Sequence, residues 1–173
     1  MNNYAEYLVK KKKTLFDYTI IFLALFAGVT ATISLLPMLL VQFYGMLAFL
    51  LLALVWFVIF KIISGRTIEF EYCITDNILD VDVITGQKKR KPLTSINIKE
   101  AEIIAPATVE FVNQFNRDGI TAKIDATMGR NDIIDFFVLY NDENGRSCRL
   151  IFTPNQAVLD IIKRANPSNT FFE

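Results

Sequence analysis

The chain has 173 residues, equal numbers of basic and acidic side chains, two cysteines and no histidine. Without histidine, Ser-His-Asp and Cys-His catalysis, HExxH metalloprotease chemistry and His-ligated metals are excluded. Cys73 and Cys148 stand far apart and outside any CxxC pattern, which removes the zinc-site and disulfide-scaffold readings and fits a reduced, cytoplasmic domain.

The neutral total hides an asymmetry. Residues 1–65 carry five lysines against Glu6 and Asp17, a net +3, so the remainder carries −3. Roughly 100 residues after the apolar region suffice for one compact core.

Residues 1–14 read as a basic juxtamembrane segment. Tyr4, Tyr7 and Leu8 with Lys10, Lys11, Lys12 and Lys13 suit a short interfacial helix in contact with anionic lipid, or the lysines simply set topology.

Between Asp17 and Lys61 lie 43 residues without a charge. One helix of that length would span about 64 Å, twice the ~30 Å hydrocarbon core, so the stretch is expected to cross twice. A break near Pro37, Gln42 and Gly45 divides residues 15–63 into helices at about 15–36 and 43–63. Lysines and Arg66 flank the pair while its loop has none, which predicts both termini in the cytoplasm of a bacterial plasma membrane. The competing signal-peptide reading fails because the apolar run is too long and a second one follows. Ala24, Gly28 and Ala31 form a small-residue face that suits contact with another helix or within the hairpin itself. No charge lies inside either span, which favours an anchor over a transporter.

Residues 66–173 are expected to form a strand-rich cytoplasmic domain. Ile68, Phe70, Tyr72 and Ile74 alternate with Glu69, Glu71 and Cys73, and after the Thr75-Asp76-Asn77 turn Leu79, Val81 and Val83 alternate with Asp80 and Asp82. A turn at Thr85 and Gly86 leads to a third strand and a fourth, closed by Pro106. In the next segment Val109, Phe111, Val112 and Phe115 permit a helix, whereas Asp118, Gly119, Met128 and Gly129 read as loop. Ile133 to Tyr140 and Ser147 to Phe152 form a hairpin around a polar turn. Thr153 as cap, Pro154 in the first turn and Gln156 start a helix to about Ala165, apolar at Val158, Ile161, Ile162 and Ala165 and ended by Asn166 and Pro167.

The fold class is thus α+β, a two-helix transmembrane hairpin followed by an antiparallel sheet with a C-terminal helix. Tyr7 to Thr14, Phe70-Glu71-Tyr72, Leu79-Asp80-Val81-Asp82, Lys88-Lys89-Arg90-Lys91 and Leu150 to Asn155 resemble a family of two-pass bacterial membrane proteins from clostridia-like Firmicutes. That resemblance implies a pleckstrin-homology-like cytoplasmic domain and no assigned activity.

Lys88, Lys89, Arg90 and Lys91 suit anionic headgroups or a partner if that edge faces the membrane; the competing reading pairs them across the sheet with Glu69, Glu71, Asp80 and Asp82. Asp80 with Asp82, and Asp132 with Asp135, read as solvated positions rather than a metal or acid/base site. No GxxxxGK[ST] or GxGxxG pattern occurs, so no cofactor and no nucleic acid are expected. The expected function is a non-enzymatic, membrane-anchored scaffold whose partners are membrane lipids and a protein. The alternative is an accessory subunit of a larger membrane complex acting through its hairpin.

Overall fold

A computed structural model describes residues 4–41, 44–108, 119–130 and 132–171. The chain divides into two compact units. One is an apolar helix pair within Lys13–Thr67, joined by the turn Thr85–Gln87; the other comprises the segment up to Lys12 and the residues of Ile68–Ile84 and Lys88 onward.

The first element corrects the reading of residues 1–14 as a juxtamembrane segment with a possible interfacial helix. Tyr4–Lys10 is a strand, β1, which pairs antiparallel along its whole length with β2, Ile68–Thr75. The alternation accounts for it: Val9 is buried, Ala5 and Tyr7 pack on the core, and Tyr4, Glu6, Leu8 and Lys10 point outward. The helix pair is therefore inserted between the first two strands of one sheet, and the strand domain begins at the N-terminus rather than at residue 66.

Helix α1, Leu15–Leu39, and helix α2, Gly45–Gly65, are both long and apolar enough to cross a bilayer. α1 opens on a capping box: Thr14 Oγ1 accepts from the Asp17 N–H, and the Asp17 carboxylate accepts from the Thr14 N–H at 2.9 Å. Arg66 approaches Asp17 at 3.8 Å. The expected break marked by Pro37, Gln42 and Gly45 falls between the end of α1 at Leu39 and the start of α2 at Gly45, so α1 includes Pro37 and runs past its expected end at about 36. A proline in the last turn removes one ladder bond, which a helix tolerates there more readily than in its middle. Phe43, the expected start of the second helix, lies outside the described residues.

The helices meet through small side chains. Gly28 is buried, and a Cβ there would lie 2.5 Å from Ile59 Cδ1. Ala48 and Ile59 are buried on α2. Near this contact Trp56 Nε1 donates to Thr32 Oγ1 at 3.3 Å, and Thr32 donates to the Gly28 carbonyl at 2.8 Å. Gly28→Leu should force the helices apart and cost about 1–3 kcal/mol of hairpin stability. Titration with SDS, followed by emission of the single tryptophan, would measure it.

β2, β3 (Ile78–Thr85) and β4 (Lys89–Asn97) complete a sheet of order β1-β2-β3-β4. The β2–β3 turn has positive φ at Asp76 and Asn77, and the β3–β4 turn at Gly86 and Gln87, the conformation two-residue hairpins require. A 3₁₀ turn, Ile98–Glu100, leads to β5, Ile103–Pro106. The second sheet has the order β5-β7-β8-β6, with β7 at Phe136–Asn141 and β8 at Ser147–Phe152. Its edge strand β6, Ala122–Ala126, runs parallel to β8 within the segment the sequence left undecided. Val109, Phe111, Val112 and Phe115 lie outside the described residues. The expected strand from Ile133 begins at Phe136 instead, because Ile133 and Ile134 belong to the loop before it.

The C-terminal helix α3, Gln156–Ala165, buries Val158, Leu159, Ile161 and Ile162. Its cap is Asn155, whose Oδ1 accepts from the Val158 N–H at 2.9 Å, in place of the expected Thr153. Thr153 is engaged elsewhere: its hydroxyl accepts from the Met128 N–H at 2.9 Å and donates to Asp135. Past α3, Asn166 donates from its buried amide to the carbonyls of Ile98 and Ala101. The tail then lies against β5, where the Ile104 N–H donates to the Asn169 carbonyl and the Phe171 N–H to that of Ile104. Pro106 offers no N–H, so this edge of the sheet is blunted against pairing with another chain.

Candidate functional site

The core between the sheets is centred on Tyr72, which is fully buried. Its ring packs edge-on against Phe152 at 5.4 Å and tilted against Tyr7 of β1 at 6.2 Å. Its hydroxyl donates to the Ala126 carbonyl and accepts from the Thr153 N–H at 3.3 Å. Burial raises the Tyr72 pKa well above the usual phenol range, so the hydroxyl stays a donor. Burial also raises Asp135, against the opposing hydrogen bond from Thr153 and with Asp125 adding to the rise. This network joins β2, β6 and β8 and was not read from the sequence, where the alternation of β2 was the only signal for Tyr72.

The outward face of the first sheet carries Glu69 and Glu71, which alternate along β2 with its core residues. They do face away from the core, yet both are nearly covered, at 5 % and 6 % exposure. Neighbouring cations explain how buried carboxylates are tolerated. Lys10 reaches Glu69 at 3.3 Å, and Arg90 reaches both Glu71 and, at 3.6 Å, Asp82. Tyr4 donates to Glu6 at 2.5 Å, a bond that pushes its phenol up to about 12. An open cleft of about 670 Å³ on this face is lined by Glu6, Glu71, Asp80 and Asp82, with Arg90 as its cation.

The candidate cations fall into two groups. All four are exposed, but Arg90 is turned to the acidic face, where it pairs with Glu71 and Asp82. The turn that precedes Lys88 packs against the end of α2: the Gly86 N–H donates to the Thr67 carbonyl at 2.8 Å, and a Cβ on Gly86 would lie 3.1 Å from the Ser64 carbonyl oxygen. The positive φ and this close approach together require glycine at position 86. Lys88 thus follows directly in the chain from a turn that sits on an apolar helix.

Lys10 to Lys13 precede α1. Lys10 is taken by Glu69, and Lys11 places its ammonium 5.8 Å over the Phe70 ring while its N–H donates to Ile68. The Lys12 N–H donates to the Met128 carbonyl at 2.8 Å and its side chain is exposed. Two of the peptides that connect strand domain and helix pair, Lys12–Lys13 and Gln87–Lys88, are therefore flanked by exposed lysine.

The small-residue face of α1 is turned toward its own partner helix. Gly28 lies against Ile59 and Trp56, and Ala24 and Ala31 are part-covered on the same side. Cys73 is part-exposed on the outward face and Cys148 is buried in β8; both are free thiols.

No curated protein and no solved structure matches the chain. A family profile described as a bacterial PH-like domain matches residues 1–172, so it takes in β1 and the helix pair together with the strands that follow. The antiparallel strands followed by a C-terminal helix agree with that description. The chain belongs to this family of bacterial PH-like domain proteins, DUF6106.

Proposed function

We propose that the protein is a membrane-anchored interaction module which acts by binding rather than by catalysis. Its hairpin crosses the bacterial plasma membrane twice, and its PH-like domain is held at the cytoplasmic surface for anionic lipid or a protein partner. One observation carries this reading. β1 precedes the hairpin, β2 follows it, and the two pair from Tyr4↔Thr75 to Lys10↔Glu69. Strands of one sheet share one side of a membrane, so a stretch between them that enters the bilayer has to return. The flanking lysines support the cytoplasmic side.

Within this reading Lys88, Lys89 and Lys91 engage anionic headgroups, while Arg90 keeps Glu71 and Asp82 neutralised. Each cation near an anionic surface contributes about 1 kcal/mol. Changing Lys88, Lys89 and Lys91 to Gln in the full chain should therefore lower its preference for a spin-labelled anionic lipid over a zwitterionic one, by up to about a hundredfold. Electron paramagnetic resonance of the reconstituted protein measures that preference. An unchanged preference removes the headgroup version and leaves a protein partner.

A further inference from the structure

The edges of the two sheets are not alike. β5 is covered by the C-terminal tail, and α3 packs against β1. β4 ends the first sheet, and among the described residues no strand lies beyond it. Its first half resists a further strand, because Lys89 and Lys91 are exposed there and Pro92 has no N–H to donate. The second half, residues 94–97, carries neither device, and Ser95 and Asn97 are exposed.

An acidic cleft lies on each side of that half. On the outward face is the cleft of about 670 Å³ in which Arg90 meets four carboxylates, and it reaches Thr94 and Ser95. On the side toward the second sheet, where Thr94 and Tyr140 share a hydrogen bond of 2.7 Å, lies an open cleft of about 480 Å³. Glu100, Asp142 and Glu143 line it with Tyr140 and the half-exposed Ile78, and it too reaches Thr94 and Ser95. Arg146 neutralises Asp142. Among the described residues, Asp80 in the first cleft and Glu143 in the second take part in no ion pair.

An extended segment laid beside residues 94–97 would exchange backbone hydrogen bonds with them, and its side chains would alternate between the two clefts. Both clefts are negative, so cationic side chains are matched whichever face they take.

We propose that the β4 edge at residues 94–97 takes up, as an added strand, a lysine- or arginine-bearing extended segment of a partner protein. This rests on the reading of the protein as a binding module and gives its protein partner a chemistry. It is independent of the headgroup contact assigned to Lys88, Lys89 and Lys91, which all precede Pro92.

The test uses the full chain in nanodiscs of zwitterionic lipid, so that no anionic lipid competes for the probe. The probe is a fluorescein-labelled octapeptide that alternates lysine with valine, read by fluorescence anisotropy. A second peptide carries N-methyl groups on its four central residues, which keeps the charge and removes backbone donors from both of its edges. The expected result is saturable binding of the first peptide and binding weaker by about tenfold or more for the second. Asp80→Asn combined with Glu143→Gln should weaken binding of the first by about fivefold, with an unchanged circular dichroism spectrum. The methylated peptide leaves the protein untouched, so it decides even where the double variant fails to fold. Equal affinities for the two peptides would mean attraction of charge alone and overturn the added strand, as would binding of neither, or an unchanged affinity in the folded double variant. The lipid preference that depends on Lys88, Lys89 and Lys91 is a separate readout. If it persists while the peptides fail, the binding module stands with lipid as its ligand; if it fails as well, both readings fall.

Discussion

Residues 66–173 expressed alone should fail to give a cooperative unfolding transition, whereas the same strands with residues 1–11 restored should give one. The restored protein joins Lys11 to Ile68 through an Asn-Gly dipeptide and omits the hairpin. Lys11 donates its N–H to the Ile68 carbonyl at 2.9 Å, which makes this the closing pair a two-residue turn needs. Without β1 the chain loses Val9 and Tyr7, and Phe70, Tyr72 and Ile74 lose the strand beside them. At roughly 1.5–3 kcal/mol per large apolar side chain, that loss is comparable with the whole stability of a domain, about 5–15 kcal/mol. β2 would also become an exposed edge next to buried glutamates. Circular dichroism during urea titration distinguishes the two proteins; a truncated domain as stable as the joined one would show that β1 is dispensable.

Tyr72→Ala is expected to be the most damaging point substitution in the core, costing about 3–5 kcal/mol by analogy with other buried aromatic truncations. The ring touches both Tyr7 and Phe152, so its loss opens a cavity where the first strand meets the second sheet. Tyr72→Phe separates the two contributions. It keeps the ring and strands the Ala126 carbonyl and the Thr153 N–H, for a smaller cost of about 1–3 kcal/mol. Urea midpoints of the joined protein and the two variants give both numbers. Equal losses for Phe and Ala would mean that the hydroxyl, and not the ring, holds this corner.

Much of this architecture is legible in the sequence because its signals are strong and local. The long uncharged stretch permits only a helical pair, the turns at Asp76-Asn77 and Gly86-Gln87 carry their own chemistry, and the apolar face of α3 repeats at helical spacing. β1 was misread for a physical reason. Tyr4, Tyr7 and Leu8 suit a membrane interface as well as a strand, and four lysines beside an apolar helix have a sufficient explanation in topology. The partner that decides the matter, β2, lies beyond the hairpin. Thr153 was misassigned in a similar way: its spacing to Gln156 fits a cap, but Asn155 serves, and Thr153 is drawn into bonds with Met128 and Asp135 that are distant in sequence. β6 was hidden because a five-residue strand between polar loops carries little pattern.

The candidate site was less legible. The run from Lys88 to Lys91 reads as four equivalent cations, yet the structure pairs Arg90 with Glu71 and Asp82 while all four stay exposed. Strand alternation predicts that neighbours in the run differ in direction; it does not tell which of them meets a carboxylate.

The hairpin is spliced between two paired strands, and the pairing supplies its own test. Lys11 and Ile68 form a hydrogen-bonded pair, so Glu6 and Cys73, five residues along each strand, face each other in a non-hydrogen-bonded pair. Such pairs bring Cα atoms to about 4.5 Å, within the range of a disulfide. In full-length protein in membranes, with Cys148→Ala, Glu6→Cys should form an intramolecular disulfide with Cys73 on mild oxidation. Ala5→Cys, whose side chain points to the opposite face, should not. The bond is read as one peptide linking residues before and after the hairpin in a mass spectrum of the digest. If neither residue cross-links to Cys73, or if Ala5→Cys does so as readily as Glu6→Cys, β1 is not paired with β2 in this register.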